Sequence, residues 1–159
     1  MKKKGLSHSK IYIGIDPGKS GALCVIEDDF IKAYPCPGNV QDMALIFAMA
    51  ISVNETKTVV AYIEKVWARP TDGRSSVWKF AENYGVWLGI AGAHEIDLKQ
   101  VAPQTWIRYF ETPKLEKNKR KRFLKEKAKS MYPNLKKVSL KTSDAILIAT
   151  YAKEKDNNS

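Results

Sequence analysis

The most informative part of the sequence is Ile11-Tyr-Ile-Gly-Ile-Asp16-Pro17-Gly18-Lys-Ser-Gly21, in which apolar residues lead directly to one acid and a Pro-Gly turn. The apolar run Ala22–Ile26 leads away from that turn, so the pattern predicts a β-hairpin with Asp16 ending its first strand. Successive strand side chains point to opposite faces, which puts Asp16 opposite the three isoleucines. A carboxylate there is costly to bury unless it is paired or holds a metal ion. Gly14 and Gly18 are expected to keep the approach to Asp16 open.

The same segment superficially resembles a phosphate-binding loop, since Gly18 is followed by a lysine and a serine. That loop has four residues between its glycines and leads into a helix. Here three residues separate Gly14 from Gly18, and the chain continues as a strand. The sequence therefore predicts no nucleotide cofactor.

The length predicts a small protein of one domain, and its mixture of predicted strands and helices predicts the α/β class. The chain has 159 residues and a formal net charge of +10, which favours nucleic acid as the partner of a basic domain. No apolar run reaches the roughly 18 residues of a membrane span, and no apolar signal core follows the basic start. Cys24 and Cys36 are too few for a disulfide framework or a zinc site. We therefore expect a cytoplasmic protein without a membrane partner.

We expect the chain to divide into a disordered basic arm over residues 1–9, one folded domain over 10–152 and a flexible polar tail over 153–159. Strands are predicted at about 10–16, 20–27, 30–35, 58–64 and 95–101. Helices are predicted at about 39–52, 75–92, 103–110, 117–131 and 142–153.

Three acids end or interrupt apolar elements: Asp16, Glu64 and Asp144. Glu64 closes the apolar strand at 58–64, and Asp144 lies in line with the apolar stripe of the last helix. Magnesium binds a few carboxylates and keeps positions for substrate phosphate, and metal-bound water can hydrolyse phosphodiesters. The simpler interpretation of Asp144 is compensation of the helix dipole.

The helix predicted at 117–131 carries eight cations and only Glu126 in opposition. Such a helix favours a phosphate-facing role, although a solvated surface is the alternative. The helix at 75–92 repeats small residues at helical spacing, which allows another helix to approach closely.

The order of these motifs resembles the RuvC family of Holliday junction resolvases, in the ribonuclease H-like superfamily, and most of all its short bacteriophage forms. The resemblance covers roughly residues 10–152. It rests on Ile13–Ala22, Ala61–Val66, Val101-Ala-Pro-Gln-Thr-Trp106, the basic helix from Lys117, and Ser143-Asp144-Ala-Ile-Leu-Ile-Ala149. It implies a central mixed five-stranded sheet flanked by helices, a homodimer formed through the 75–92 helix, and metal-dependent nicking of four-way junctions.

The resemblance also implies residue roles. Asp16, Glu64 and Asp144 take the positions of metal-binding acids, with Mg²⁺ or Mn²⁺ as cofactor and two ions in the site. Lys117 matches a lysine that meets the scissile phosphate, and Trp67 an aromatic wedge against junction bases, although Trp67 could also be a local packing residue. The remaining residues expected to contact DNA are Arg69, Arg74, Lys119, Arg120, Lys121 and Lys141.

One departure leaves alternatives open. The family places a second acid three or four residues before the helix acid, where this chain has Leu140 and Lys141. The second metal could therefore bind weakly, or Lys141 could supply positive charge in its place. The alternatives are a branched-DNA-binding protein with weak or no cleavage, a flap or RNA–DNA hybrid nuclease, and a sugar-kinase or actin-like ATPase. The last needs two such domains, and this chain has the length of one.

Overall fold

The computed structural model describes residues 10–51 and 57–159. The predicted basic arm at residues 1–9 lies outside the described residues. The strands are β1 (Ile11–Asp16), β2 (Ala22–Glu27), β3 (Phe30–Pro35), β4 (Val59–Glu64) and β5 (Leu98–Val101). The helices are α1 (Val40–Ile51), α2 (Arg74–Ala93), α3 (Pro103–Tyr109), α4 (Lys117–Met131) and α5 (Ser143–Asn157).

The strands form one five-stranded mixed sheet in the order β3-β2-β1-β4-β5. β1, β2 and β3 pair antiparallel, as short turns allow, whereas β4 and β5 add in parallel after helical crossovers. The predicted α/β class and mixed five-stranded sheet are therefore confirmed. Among the described residues, no helix combines the length and the apolar character needed to cross a membrane.

The alternation in β1 separates two hydrophobic cores. Ile11, Ile13 and Ile15 are fully buried against α1 and α2, together with Phe47 and Trp87. Tyr12 belongs to the opposite core, which α3, α4 and α5 cover. Asp16 has the parity of Tyr12, so its side chain lies on the α5 face as the alternation predicts.

Gly14 makes the close approach of α5 to β1 possible. A Cβ atom at residue 14 would lie 2.2 Å from the backbone nitrogen of Ala149 and 2.4 Å from the carbonyl oxygen of Ala145. The expectation that Gly14 keeps the approach to Asp16 open is therefore wrong. Instead, α5 lies directly on the central strand and carries its first turn toward the end of β1.

The predicted end of the last helix near residue 153 is wrong, because α5 continues to Asn157. Asp156 Oδ2 accepts a hydrogen bond of 2.8 Å from Lys10 Nζ and one of 2.9 Å from Tyr12 Oη. Lys10 directly precedes β1 and Tyr12 is the second residue of that strand, so residues early in the chain stabilise the extra helical turn.

Candidate active site

Asp16 lies where β1 turns sharply toward β2. Gly18 takes a positive φ of 104°, a backbone conformation that favours glycine. Its N–H donates a 2.7 Å hydrogen bond to Asn83 Oδ1 of α2, and the ring of Phe80 packs against it. The turn after Asp16 is thus held by α2, and Gly18 serves this packing rather than open access.

Glu64 ends the strand beside β1. Because β1 and β4 are parallel, with Ile15 opposite Ile63, their final residues Asp16 and Glu64 meet at the same edge of the sheet. Trp106 Nε1 of α3 donates a 2.8 Å hydrogen bond to Glu64 Oε2. Trp106 is buried in the core, so it fixes one oxygen of this carboxylate.

Asp144 comes from the third element, in the first turn of α5. Burial raises the pKa of Asp16 well above its usual value, and the charges of Asp144 and then Glu64 raise it further. Burial also raises the pKa of Glu64 to about 7, with Asp144 adding to the rise and the Trp106 hydrogen bond opposing it. The pKa of Asp144 is raised by burial as well. The charges of Asp144 and Glu64 thus reach Asp16, and the charge of Asp144 reaches Glu64.

The three acids supply hard oxygen donors, which suit Mg²⁺ or Mn²⁺. Over residues 10–51 and 57–159, however, no three His, Cys, Asp or Glu side chains are grouped tightly enough to form a ready metal cage. The oxygen donors of the three acids fit the chemistry of a hard divalent cation.

A groove of about 800 Å³ opens beside Glu64, between the loop after β4, α2 and α3. Trp67 and Arg69 line it from the loop, and Lys117 and Arg120 line it from α4. Tyr84 and Phe80 contribute aromatic surface from α2. The groove therefore joins cations and aromatic rings directly to one acid of the site.

Comparison with known proteins identifies the architecture. No protein-family model and no curated protein sequence matches the chain. The structure of T. thermophilus RuvC in complex with a Holliday junction substrate matches with a TM-score of 0.61, over 93% of this chain and 96% of that chain, at 12% identity. A second T. thermophilus RuvC structure matches with a TM-score of 0.57, over 91% and 96%, at 16% identity. The chain has the RuvC fold.

The fold predicted from the sequence, a mixed five-stranded sheet flanked by helices, is the fold of these two RuvC structures. It brings together residues that are far apart in the chain, and it separates the predicted DNA contacts into three groups. Trp67, Arg69, Lys117 and Arg120 line the groove, and the charge of Arg120 also opposes the rise in the pKa of Glu64 and Asp144.

The second group is Lys121 alone, whose charge acts on all three acids. Its charge opposes the rise in the pKa of Asp16, Glu64 and Asp144. The third group comprises exposed cations outside the groove lining: Arg74 at the start of α2, Lys119 in the first turn of α4, and Lys141 before α5.

Lys141 and Leu140 are both exposed, and the backbone N–H of Lys141 donates to Ser139 Oγ. Thr142, the N-cap residue of α5, makes no side-chain bond to the helix; its hydroxyl oxygen accepts from the backbone N–H of Ser139 instead. The segment before Asp144 therefore folds on itself without an additional acid.

Sequence reasoning missed two residues that support the site. Trp106 stood out only as part of the motif that begins α3, and Asn83 had no expected role. No local pattern could have identified them, because each binds a residue far away in the chain. A buried tryptophan next to a strand-end acid is the one signal that, with the fold known, points to such a bond.

Proposed function

We propose that this chain is a structure-selective endodeoxyribonuclease that cuts four-way (Holliday) and other branched DNA by divalent-metal-dependent phosphodiester hydrolysis. The observation that supports the proposal is the position of Asp16 and Glu64 at the ends of adjacent parallel strands, with Asp144 in the first turn of α5, beside a groove lined by cations and aromatic rings. The RuvC fold supports it, since one neighbour of the same fold was solved with a Holliday junction substrate.

The three acids would hold Mg²⁺, or Mn²⁺ in its place, with two ions in the full site. The bound metal would supply an activated water and stabilise the leaving 3′ oxygen. Lys117, which lines the groove that opens beside Glu64, would hold the scissile phosphate. Lys121 and Arg120 would balance the negative charge of the acids and the phosphate.

The exposed side chains around the groove would bind the branch. Trp67 is 57% exposed, which suits a ring that stacks on an unpaired base. Arg69 on the loop and Arg74 at the start of α2 would bind backbone phosphates on either side of it. Lys119 and Lys141 would extend the cationic surface along the DNA.

A homodimer through α2 would place two such sites for symmetrical nicking. Gly85, Gly89 and Gly92 have open space where a Cβ would stand, so a second helix could pack closely there. Sedimentation of the purified protein tests this, since a monomer at micromolar concentration would contradict it. We further propose that a bacteriophage encodes the protein and that it acts in the cytoplasm of the bacterial host.

Cleavage of a synthetic four-way junction, with MgCl₂, MnCl₂ or EDTA, tests the function. Asp16→Asn should retain junction binding and lose cutting, because the amide removes a charged metal ligand but keeps the side-chain shape. If Asp16→Asn cut the junction at the wild-type rate, the proposed site would be refuted. Three-way, flap and RNA–DNA hybrid substrates in the same assay separate a junction enzyme from a flap or hybrid nuclease.

A second candidate function is branched-DNA binding with weak or no cleavage. The absence of an acid at Leu140 or Lys141 and the loose grouping of the three acids among the described residues favour it. Lys141→Asp tests whether the missing acid limits the metal. We expect this variant to reach half-maximal cleavage at a lower MgCl₂ concentration than wild type, and coinciding curves would show that Lys141 does not matter.

A further inference from the structure

The motif Val101-Ala-Pro-Gln-Thr-Trp106 joins β5 to α3, and it has no role in the chemistry proposed above. Its last residue nevertheless returns to the site, where Trp106 Nε1 donates a 2.8 Å hydrogen bond to Glu64 Oε2. An indole N–H can only donate, and a carboxylate oxygen can accept. The bond is therefore directional and links α3 to one acid.

The geometry of the motif follows from the sheet. Val101 stands opposite Glu64 in the parallel β4–β5 ladder, and its carbonyl oxygen accepts a 2.7 Å bond from Lys65 N–H. Pro103 then begins α3 at once, where proline is tolerated because that N–H would be unpaired. The first turns of α3 thus start beside Glu64, and Trp106 reaches its carboxylate.

Core packing immobilises Trp106. Its side chain is 1% exposed and lies in the core that includes Leu124 and Ala128 of α4 and Ala145 of α5. Turning the indole away would open a cavity in that core, which is costly. Within the described parts of the chain, Glu64 Oε1 has no hydrogen-bond partner, so one oxygen is held and the other is free.

We propose that Trp106 is a positioning residue that locks Glu64 in the orientation from which Oε1 can coordinate a divalent cation. The inference rests on the proposed function. Trp106 touches neither metal nor DNA, and it acts only through Glu64. Partners that hold a ligating side chain commonly change metal affinity by about 10–100-fold when they are removed.

The test compares two buried tryptophans. Trp106→Phe keeps most of the ring volume and removes the N–H donor. Trp87→Phe is the matched control, because Trp87 is 0% exposed in the opposite core and its Nε1 has no hydrogen-bond partner in the described structure. Calorimetric titration with MgCl₂ and MnCl₂ should show about 10-fold weaker binding for Trp106→Phe and little change for Trp87→Phe. Junction binding in EDTA should be equal in all three proteins.

A second measurement uses the wild-type protein, so it does not depend on how the variants fold. The indole N–H signal of Trp106 in a nuclear magnetic resonance spectrum should shift during a MgCl₂ titration. The signal of Trp87 should stay in place, and Glu64→Gln should abolish the response of Trp106.

The outcomes separate the inference from the proposed function. If wild type binds the cation and cuts junctions while Trp106→Phe binds with unchanged affinity, the positioning role is wrong and the nuclease proposal stands. A Trp106 signal that does not respond to cation binding would overturn the positioning role in the same way. If the wild-type protein binds neither Mg²⁺ nor Mn²⁺, the inference and the metal-dependent function both fail.

Discussion

Replacing Glu64 by glutamine should stabilise the metal-free protein, and the gain should depend on pH. Burial and the charge of Asp144 raise the pKa of Glu64 from its ordinary value of 4.5 to about 7. The folded state therefore favours the neutral carboxyl group. Glutamine is neutral at every pH and nearly the same shape, and its side-chain oxygen can still accept the Trp106 hydrogen bond.

The magnitude follows from the linkage between protonation and folding. A pKa that rises from 4.5 to about 7 corresponds to about 3 kcal/mol, at about 1.4 kcal/mol for each pH unit. Because the acid has a raised pKa, this stability is fully present below pH 4.5 and is lost as pH rises through 7. The free energy of unfolding of Glu64→Gln minus that of wild type should therefore grow by about 3 kcal/mol between about pH 4 and pH 8.

Urea unfolding followed by circular dichroism, in EDTA at several pH values across this range, measures the difference directly. Glu82→Gln is the control, since Glu82 is an exposed glutamate on α2 and its replacement should change stability by less than about 0.5 kcal/mol at every pH. A Glu64→Gln difference that stays flat or falls with pH would refute the burial of Glu64 among like charges. Adding MgCl₂ should then stabilise wild type more than the variant, because ligand binding favours the folded state.

Three further predictions concern packing and DNA binding. Gly14→Ala should lower the free energy of unfolding in urea by about 3 kcal/mol or more, because the added Cβ would overlap the backbone of α5. Gly38→Ala is the control and should be nearly neutral, since a Cβ there meets nothing within 4 Å. Equal losses of stability in the two variants would contradict this packing. Trp67→Ala should reduce the preference for junctions over linear duplex in band-shift assays. Trp78→Ala is the control and should leave it unchanged, because it removes a 73% exposed ring outside the groove lining. An unchanged preference in Trp67→Ala would count against stacking. Lys119→Gln should lower the slope of log affinity against log salt by about one, and an unchanged slope would exclude a phosphate contact.

Much of this architecture could be predicted from local patterns. The alternation of β1 predicted which face Asp16 occupies, and the helix predicted at 117–131 coincides with α4 from its first residue to its last. These features depend on residues that are neighbours in the chain, where the periods of strand and helix are directly visible. The three candidate acids could be selected in the same way, since each stands at the end or start of an apolar element.

The contacts that hold the site and the end of α5 in place depend on the tertiary structure alone. Trp106 reaches Glu64 across 42 residues, Asn83 reaches the Gly18 turn across 65, and Asp156 reaches Tyr12 across 144. Gly14 likewise has its reason in the backbone of α5 and not in the acid beside it. Hydrogen bonds and steric contacts act over a few ångströms of space, and a periodic sequence pattern carries no information about which distant segments the fold will bring to that distance.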